Sequence, residues 1–298
     1  MAIRDGNGWT RCGQGHRHWG KHGAAGLLAY TSEPDGPAAA GGAVSVLLQL
    51  RSGWGHHGGT WGLPGGAMDS HESAEAAALR EAAEECGVPA DAVTVRGIWR
   101  DDHASWTYWT VIGWTPAAFP AYPASAETTE VAWVREADVG QLALHPGFAA
   151  QWPGLRTALR PLTVIVDVAN VMGSRPDGWW RDRAGAAARL RDQLATLADR
   201  GLESLPDSMA APALERWFPC FVLVVEGQAR RIAGDAEPGP ARRLRVTAAA
   251  GSGDDAIAAI AADLTGRRLV VTADRELRRR CEAAGASVAG PGWLLGML

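Results

Sequence analysis

Four residues in one short stretch have the types and spacing for ionic chemistry: Arg80, Glu81, Glu84 and Glu85. On a helix, positions i, i+3 and i+4 share a face, so the three carboxylates project the same way. Unrelieved, such crowding destabilises a helix by ~0.2–0.5 kcal/mol per like-charged pair. A hard divalent cation would offset it, because magnesium or manganese takes oxygen ligands, keeps several waters and shares its shell with substrate phosphates. Leu79, Ala82, Ala83 and Cys86 are expected to fill the buried side, leaving core and chemistry on opposite faces. Upstream, Gly62-Leu63-Pro64-Gly65-Gly66 is a loop in which three residues lack a Cβ, so its backbone can come close to a ligand. Glu72 follows six residues after Gly66.

Gly66, Glu72, Arg80, Glu81, Glu84, Glu85 and Gly87 fit the Nudix box, G-x5-E-x7-R-E-U-x-E-E-x-G-U, at every fixed position, with Ala82 and Val88 at the two U positions. Seven fixed residues at fixed spacing make this far more specific than a lone glycine-rich loop. The resemblance extends from about Gly26 to Trp152 and implies hydrolysis of a nucleoside diphosphate linked to a group X. It makes Glu81, Glu84 and Glu85 ligands of Mg2+ or Mn2+, with Gly66 helping to place the metal. Arg80 would orient the glutamates and Glu72 would brace the loop against the helix. Glu84 is one choice of general base, and Glu127 or Glu130, before strand VAWV, is another. GTWGLPGG at 59–66 also resembles the MutT-like nucleotide pyrophosphatases. There Gly65 and Gly66 would approach substrate, and Trp61 would either stack on a base or pack in the sheet.

A second set of acids falls at the ends of apolar strands. Asp167 ends VIVD, Glu226 ends LVVE, Asp274 ends VVTAD, and Asp254 with Asp255 opens a helix after a Gly-Ser-Gly turn. Open α/β sheets bind ligands beyond the carboxyl ends of their strands, so these acids, with Thr272 and Asn170, are placed to converge on a cation. DVANV at 167–171, SGDDAI at 252–257 and TADRELRRR at 272–280 resemble motifs of the PIN-like ribonucleases of the NYN and YacP-like branch. That resemblance makes Asp167, Asp254 and Asp274 metal ligands, Asp255 an auxiliary acid, and RNA the partner. Two other readings stay open: a noncatalytic RNA-binding or interaction module in this half, and a ligand sensor in the first half.

Strands are expected at 42–50, 94–100, 105–114 and 131–134 in the first half, with a helix from about Ser73 to Cys86 closed by Gly87 at its C-cap. The second half alternates strands at 164–167, 221–226, 243–247 and 268–274 with helices at 180–200, 254–264 and 275–284, a parallel-sheet pattern. The fold class is therefore α/β in two domains: a Nudix mixed-sheet α/β/α sandwich followed by a PIN-like Rossmannoid parallel-sheet α/β/α domain. Residues 1–24 read as an N-terminal extension, 25–155 as the first domain, 156–162 as a linker and 163–298 as the second domain. Pro/Gly punctuation at 152–161 marks the linker.

At 298 residues, 47% hydrophobic and 21% charged, the chain has apolar surface for two cores. A net charge of -4 excludes a global basic field for nucleic acid, though the basic residues shift from 11 against 16 acids before residue 161 to 18 against 17 after it. No apolar run nears the ~20 residues of a membrane span. Scattered Cys12, Cys86, Cys220 and Cys281 and the absence of an apolar leader point to a reduced, cytoplasmic protein. Cys12, His16 and His18 form a possible zinc set that lacks a clear fourth ligand, and the N-terminus is expected to be loosely packed.

Overall fold

The computed structural model describes residues 4–32, 43–54, 56–176, 178–234 and 243–298. The Gly/Pro/Ala-rich stretch that the sequence shows at 32–42 lies, apart from Ser32, outside them. Contacts divide the chain into two units, Met1–Leu159 with Pro212–Glu215, and Arg160–Ala211 with Arg216–Leu298.

In the first unit, β1 (Trp9–Arg11) and β2 (Arg17–Trp19) form an antiparallel hairpin. The sheet contains β3 (Ala24–Ser32), β4 (Val44–Arg51), β5 (Trp61–Gly62), β6 (Gly65–Ala67), β7 (Thr94–Asp102), β8 (Thr107–Thr115) and β9 (Thr128–Arg135). Its order runs β7-β8-β3-β4-β5, with β6 also on β3 and β9 on β4; only β3 and β8 are parallel. Strand β3 is the centre of this sheet and was not among the expected strands. Its AAGLLAY run is buried throughout, so it shows no alternation of apolar and polar residues. Two helices complete the unit, α1 (Ala74–Cys86) and α2 (Pro146–Ala158).

Helix α1 begins where Ser73 accepts a hydrogen bond from the Ala76 N–H, and ends where Gly87 takes the left-handed φ of 65°. Its buried residues are Ala77, Ala78, Ala82, Glu85 and Cys86, whereas Ala83 is exposed and Leu79 half-buried. The expected separation of core and chemistry onto opposite faces is thus corrected: Glu85 belongs to both. Small alanines let the helix lie close to the sheet, which draws a carboxylate into the interior. The 152–161 stretch is also not a plain linker, since α2 continues through Pro153 to Ala158.

The second unit carries β10 (Leu162–Asp167), α3 (Val168–Gly173), α4 (Arg183–Arg200), β11 (Arg216–Trp217), β12 (Cys220–Val225), β13 (Leu244–Ala248), α5 (Gly253–Asp263), β14 (Arg267–Val271), α6 (Arg275–Ala283), β15 (Ser287–Ala289) and α7 (Pro291–Leu295). Five strands form a parallel sheet in the order β13-β12-β10-β14-β15. The chain winds outward from β10 to β13, then returns to β14 on the other side, so the order reverses beside β10. Ile165, Val222, Val270 and Val288 pack with Ile257 and Leu277 of α5 and α6 in its core. Helix α3, unforeseen in the sequence, starts directly after β10, with Asp167 as its N-cap.

Candidate active site

Strand β6, the turn before α1 and the second half of α1 hold the first cluster. Arg80 is its hub: Nε and Nη2 donate to the two carboxylate oxygens of Glu72 at 2.6 and 2.8 Å. Arg80 Nη1 donates to Glu81 at 2.6 Å and to Glu84 at 3.4 Å, and Nη2 also reaches the Ala67 carbonyl at 3.1 Å. This planar fork ties the loop, β6 and the helix face together, which the single point charge of lysine would not do. Glu72 Oε2 accepts from the Asp69 N–H at 3.0 Å, which fastens the turn before α1. The bond from Arg80 holds the Glu72 carboxyl below the usual range, and the guanidinium is held more firmly protonated in return.

The three glutamates sit in three environments. Glu85 is 6% exposed and accepts from Gln49 Nε2 and from the Gly65 N–H, both at 2.8 Å. Burial pushes its carboxyl up to about 7, against the pull of those two bonds. Burial also raises Glu81, partly countered by Arg80. Glu84 stands at the rim, with its side chain 45% exposed and ion-paired to Arg4 as well as Arg80. The trio is not among the described groups of acid, histidine and cysteine side chains whose ligand atoms lie within 4.8 Å of one another. Glu81 and Glu84 share the Arg80 guanidinium, whereas Glu85 turns inward to Gln49 and Gly65.

Gly66 owes its place to space, not to backbone conformation. A Cβ built on it would lie 2.7 Å from Glu81 Cδ and Oε2. Gly66→Ala is therefore expected to push the Glu81 carboxylate aside and lower kcat by roughly tenfold, against the ~100-fold that a 1 Å misplacement can cost. Wild-type kcat for Gly66→Ala at saturating metal would count against this packing.

Gln49 was not anticipated from the sequence. It is 1% exposed in the middle of β4, bonds Glu85, and accepts from Thr128 Oγ1 at 2.6 Å. A glutamine within the apolar run VLLQL was the available signal. Arg4, also unanticipated, carries none. Trp61 is half-buried on β5, where its backbone N–H donates to the Ala143 carbonyl at 2.8 Å. Glu127 and Glu130 are both exposed, and among the described residues no hydrogen bond or ion pair joins the Glu127 carboxylate to α1.

At the reversal point of the parallel sheet, Asp167 is 6% exposed and accepts from the Asn170 N–H at 3.0 Å and from Thr272 Oγ1 at 2.8 Å. Asn170 Oδ1 accepts from the Ala273 N–H at 3.1 Å, while Asp274 caps α6 through the Leu277 N–H at 2.7 Å. Burial raises Asp167, with Asp254 and Glu226 adding to it; Asp254 is raised by burial and then by Asp274 and Glu226. These acids sense one another, yet Asp167, Asp254 and Asp274 do not gather within 4.8 Å as a described set. Asp255 pairs with Arg280 at 2.8 Å.

The NUDIX domain family model matches residues 28–156. "Putative 8-oxo-dGTP diphosphatase 3" of Mycobacterium tuberculosis H37Rv is 46% identical over 166 residues, 54% of this chain and 72% of that protein. A "Nucleoside triphosphate pyrophosphatase/Nudix hydrolase fusion protein" of Bifidobacterium longum is 35% identical over 159 residues, 53% of this chain and 32% of that one. The crystal structure of the Nudix hydrolase RenU from M. smegmatis is 46% identical and covers 51% of this chain and 93% of its own, with a TM-score of 0.45. The chain belongs to the Nudix family and is a pyrophosphohydrolase. No described helix is long and apolar enough to cross a membrane.

Proposed function

We propose that the first unit is a Mg2+- or Mn2+-dependent hydrolase of a nucleoside diphosphate linked to X, and that oxidised guanine nucleoside triphosphates, the class in the M. tuberculosis relative's name, are its first substrates to test. The observation that carries this is the Arg80 hub joining Glu72, Glu81 and Glu84 to the Gly66 strand. The donor set fits a hard cation, since every candidate ligand is oxygen: Glu81, Glu84, Glu85 and the Gly66 carbonyl. When bound, the cation would screen the diphosphate and lower the pKa of a coordinated water.

The chain's own residues do the remaining work. Arg80 fixes the carboxylates before substrate arrives, which spares reorganisation during the reaction. Gly65 and Gly66 would present backbone to phosphate along β6, their missing side chains making room for Ala25 and Gly26 of β3 and for the Glu81 carboxylate. Glu84, at the exposed rim, is the carboxylate best placed to take a proton from water, and it is preferred to Glu127, which has no bond to α1. Trp61 is proposed to stack on the base. A panel of oxidised and normal nucleoside triphosphates with magnesium, read out as nucleoside monophosphate, tests this. No monophosphate from any of them would defeat it and favour the ligand-sensor reading.

For the second unit the proposed function is that of a PIN-like, NYN-type metal-dependent ribonuclease. What favours it is that Asp167, Glu226 and Asp274 follow the carboxyl ends of β10, β12 and β14, where the strand order reverses, and that Asp254, opening α5, is close enough to all three to be coupled to them. Asn170 and Thr272 act as positioning residues, through Ala273 and Asp167, and Asp255 stands off with Arg280. Asp167→Asn should abolish manganese-supported RNA cleavage, a loss of ~10³-fold or more, and leave nucleotide hydrolysis intact. If the wild type cleaves no RNA, a noncatalytic RNA-binding or interaction module takes its place. The four free cysteines accord with a proposed cytoplasmic location.

A further inference from the structure

The N-terminal segment is not loosely packed. Its β1–β2 hairpin brings Cys12, His16 and His18 against His103, which lies 85 residues further on in the β7–β8 turn. One ligand atom from each of the four lies within 4.8 Å of all the others. We propose that Cys12, His16, His18 and His103 bind a structural Zn2+ ion, separate from the cations of the glutamate helix.

The backbone builds this cluster from both sides. The Cys12 N–H donates to the His16 carbonyl at 3.0 Å and the Gly15 N–H to the Cys12 carbonyl at 2.9 Å, closing a turn in which Gly15 has φ +85°. His16 and His18 are two residues apart where β2 begins, so strand alternation sends them to the same face. On the other side, the His103 N–H donates to the Trp106 carbonyl at 2.8 Å, and Trp106 Nε1 donates to the Gly20 carbonyl at 2.8 Å. Trp106 also stacks on the His18 ring at 4.0 Å. These bonds hold the turn with its fourth ligand against the hairpin.

The state of the ring nitrogens points to a ligand. His18 Nε2 and His103 Nδ1 are buried polar atoms with no hydrogen-bond partner, a costly arrangement unless something else fills their lone pairs. His103 Nε2 lies 3.1 Å from Asp101 Oδ2, so this nitrogen carries the proton and leaves Nδ1 free to coordinate. Gln151 Nε2 in turn donates to the same Asp101 oxygen. A carboxylate orienting an imidazole in this way is the usual outer support of a zinc-bound histidine. One sulfur and three imidazoles suit zinc, and four protein ligands fill a tetrahedral shell with no open position, so the role is structural. The ion would lock the segment whose Arg4 pairs with Glu84 and whose Gly6 N–H donates to Asp69 at 2.7 Å.

The test uses the full-length protein with zinc or cobalt as the probe. After gel filtration with a brief EDTA rinse, elemental analysis should find about one zinc per chain, in the wild type and in Glu84→Gln alike. Cys12→Ser and His103→Ala should each lower that at least tenfold. Cobalt loaded into metal-depleted wild type should give a thiolate-to-cobalt charge-transfer band and intense tetrahedral absorption. The band should disappear in Cys12→Ser and persist in Cys86→Ser. If the Cys12 and His103 variants do not fold, the wild-type cobalt spectrum decides. A wild type with no rinse-resistant zinc, or with cobalt uptake but no thiolate band, overturns the site.

Discussion

Glu84→Gln is expected to lower nucleotide hydrolysis by about 10³-fold at saturating magnesium, with the protein still folded. The substitution removes one anionic oxygen from the proposed cation shell and the carboxylate proposed to accept a proton from water. A cation's stabilisation of the developing charge is worth several kcal/mol, and ~4 kcal/mol corresponds to ~10³ in rate. Folding should persist because the side chain is 45% exposed and its ion pairs to Arg4 and Arg80 lie at the surface. Pairs of that kind contribute ~0–1 kcal/mol. The check is kcat with matched circular dichroism and thermal melts. A loss under tenfold would move the proton-accepting role elsewhere, with Glu127→Gln the next variant to assay.

In chelator, stability should fall as pH rises from about 5 to about 8, and Glu85→Gln should flatten that slope. Burial raises the Glu85 carboxyl to about 7 from its ordinary value of 4.5. Between those values the folded chain holds a proton that the unfolded chain has released, so raising pH favours unfolding. The full effect at ~1.4 kcal/mol per unit is about 3 kcal/mol, complete above about pH 7. Glu81, also raised by burial, acts in the same direction. Glu72, lowered by Arg80, acts oppositely and only on the acid side. Magnesium should reduce the slope, because it binds the ionised carboxylates, and its apparent affinity should therefore rise through about pH 7. Urea titrations in EDTA at both ends of this range measure the effect. Equal stability at the two pH values in the wild type would mean that Glu85 does not sit where these bonds put it.

Local interactions made helix α1 readable from the sequence. Ser73 and Gly87 mark its ends through bonds to backbone groups a few residues away, and the box spacing fixes which carboxylates share a face. Strand β3 was not readable, because a strand buried on both sides has no polar residues to give its period. Pro153 suggested a break, yet the chain continues as a helix through it to Ala158.

By itself, the sequence determined the family, the carboxylate spacing on α1, the limits of that helix and the alternation of strands and helices in the second half. All of these rest on contacts between residues close along the chain. Tertiary structure alone decided that Glu85 is buried against Gln49 and Gly65 while Glu84 meets Arg4 at the surface. It also decided that Asp254 and Glu226 lie close enough to Asp167 to help raise its carboxyl, and that His103 joins Cys12, His16 and His18. Each of these depends on strand pairing and packing between distant segments, so the environment of a side chain, and with it its charge and its partners, follows from the fold and not from its neighbours in sequence.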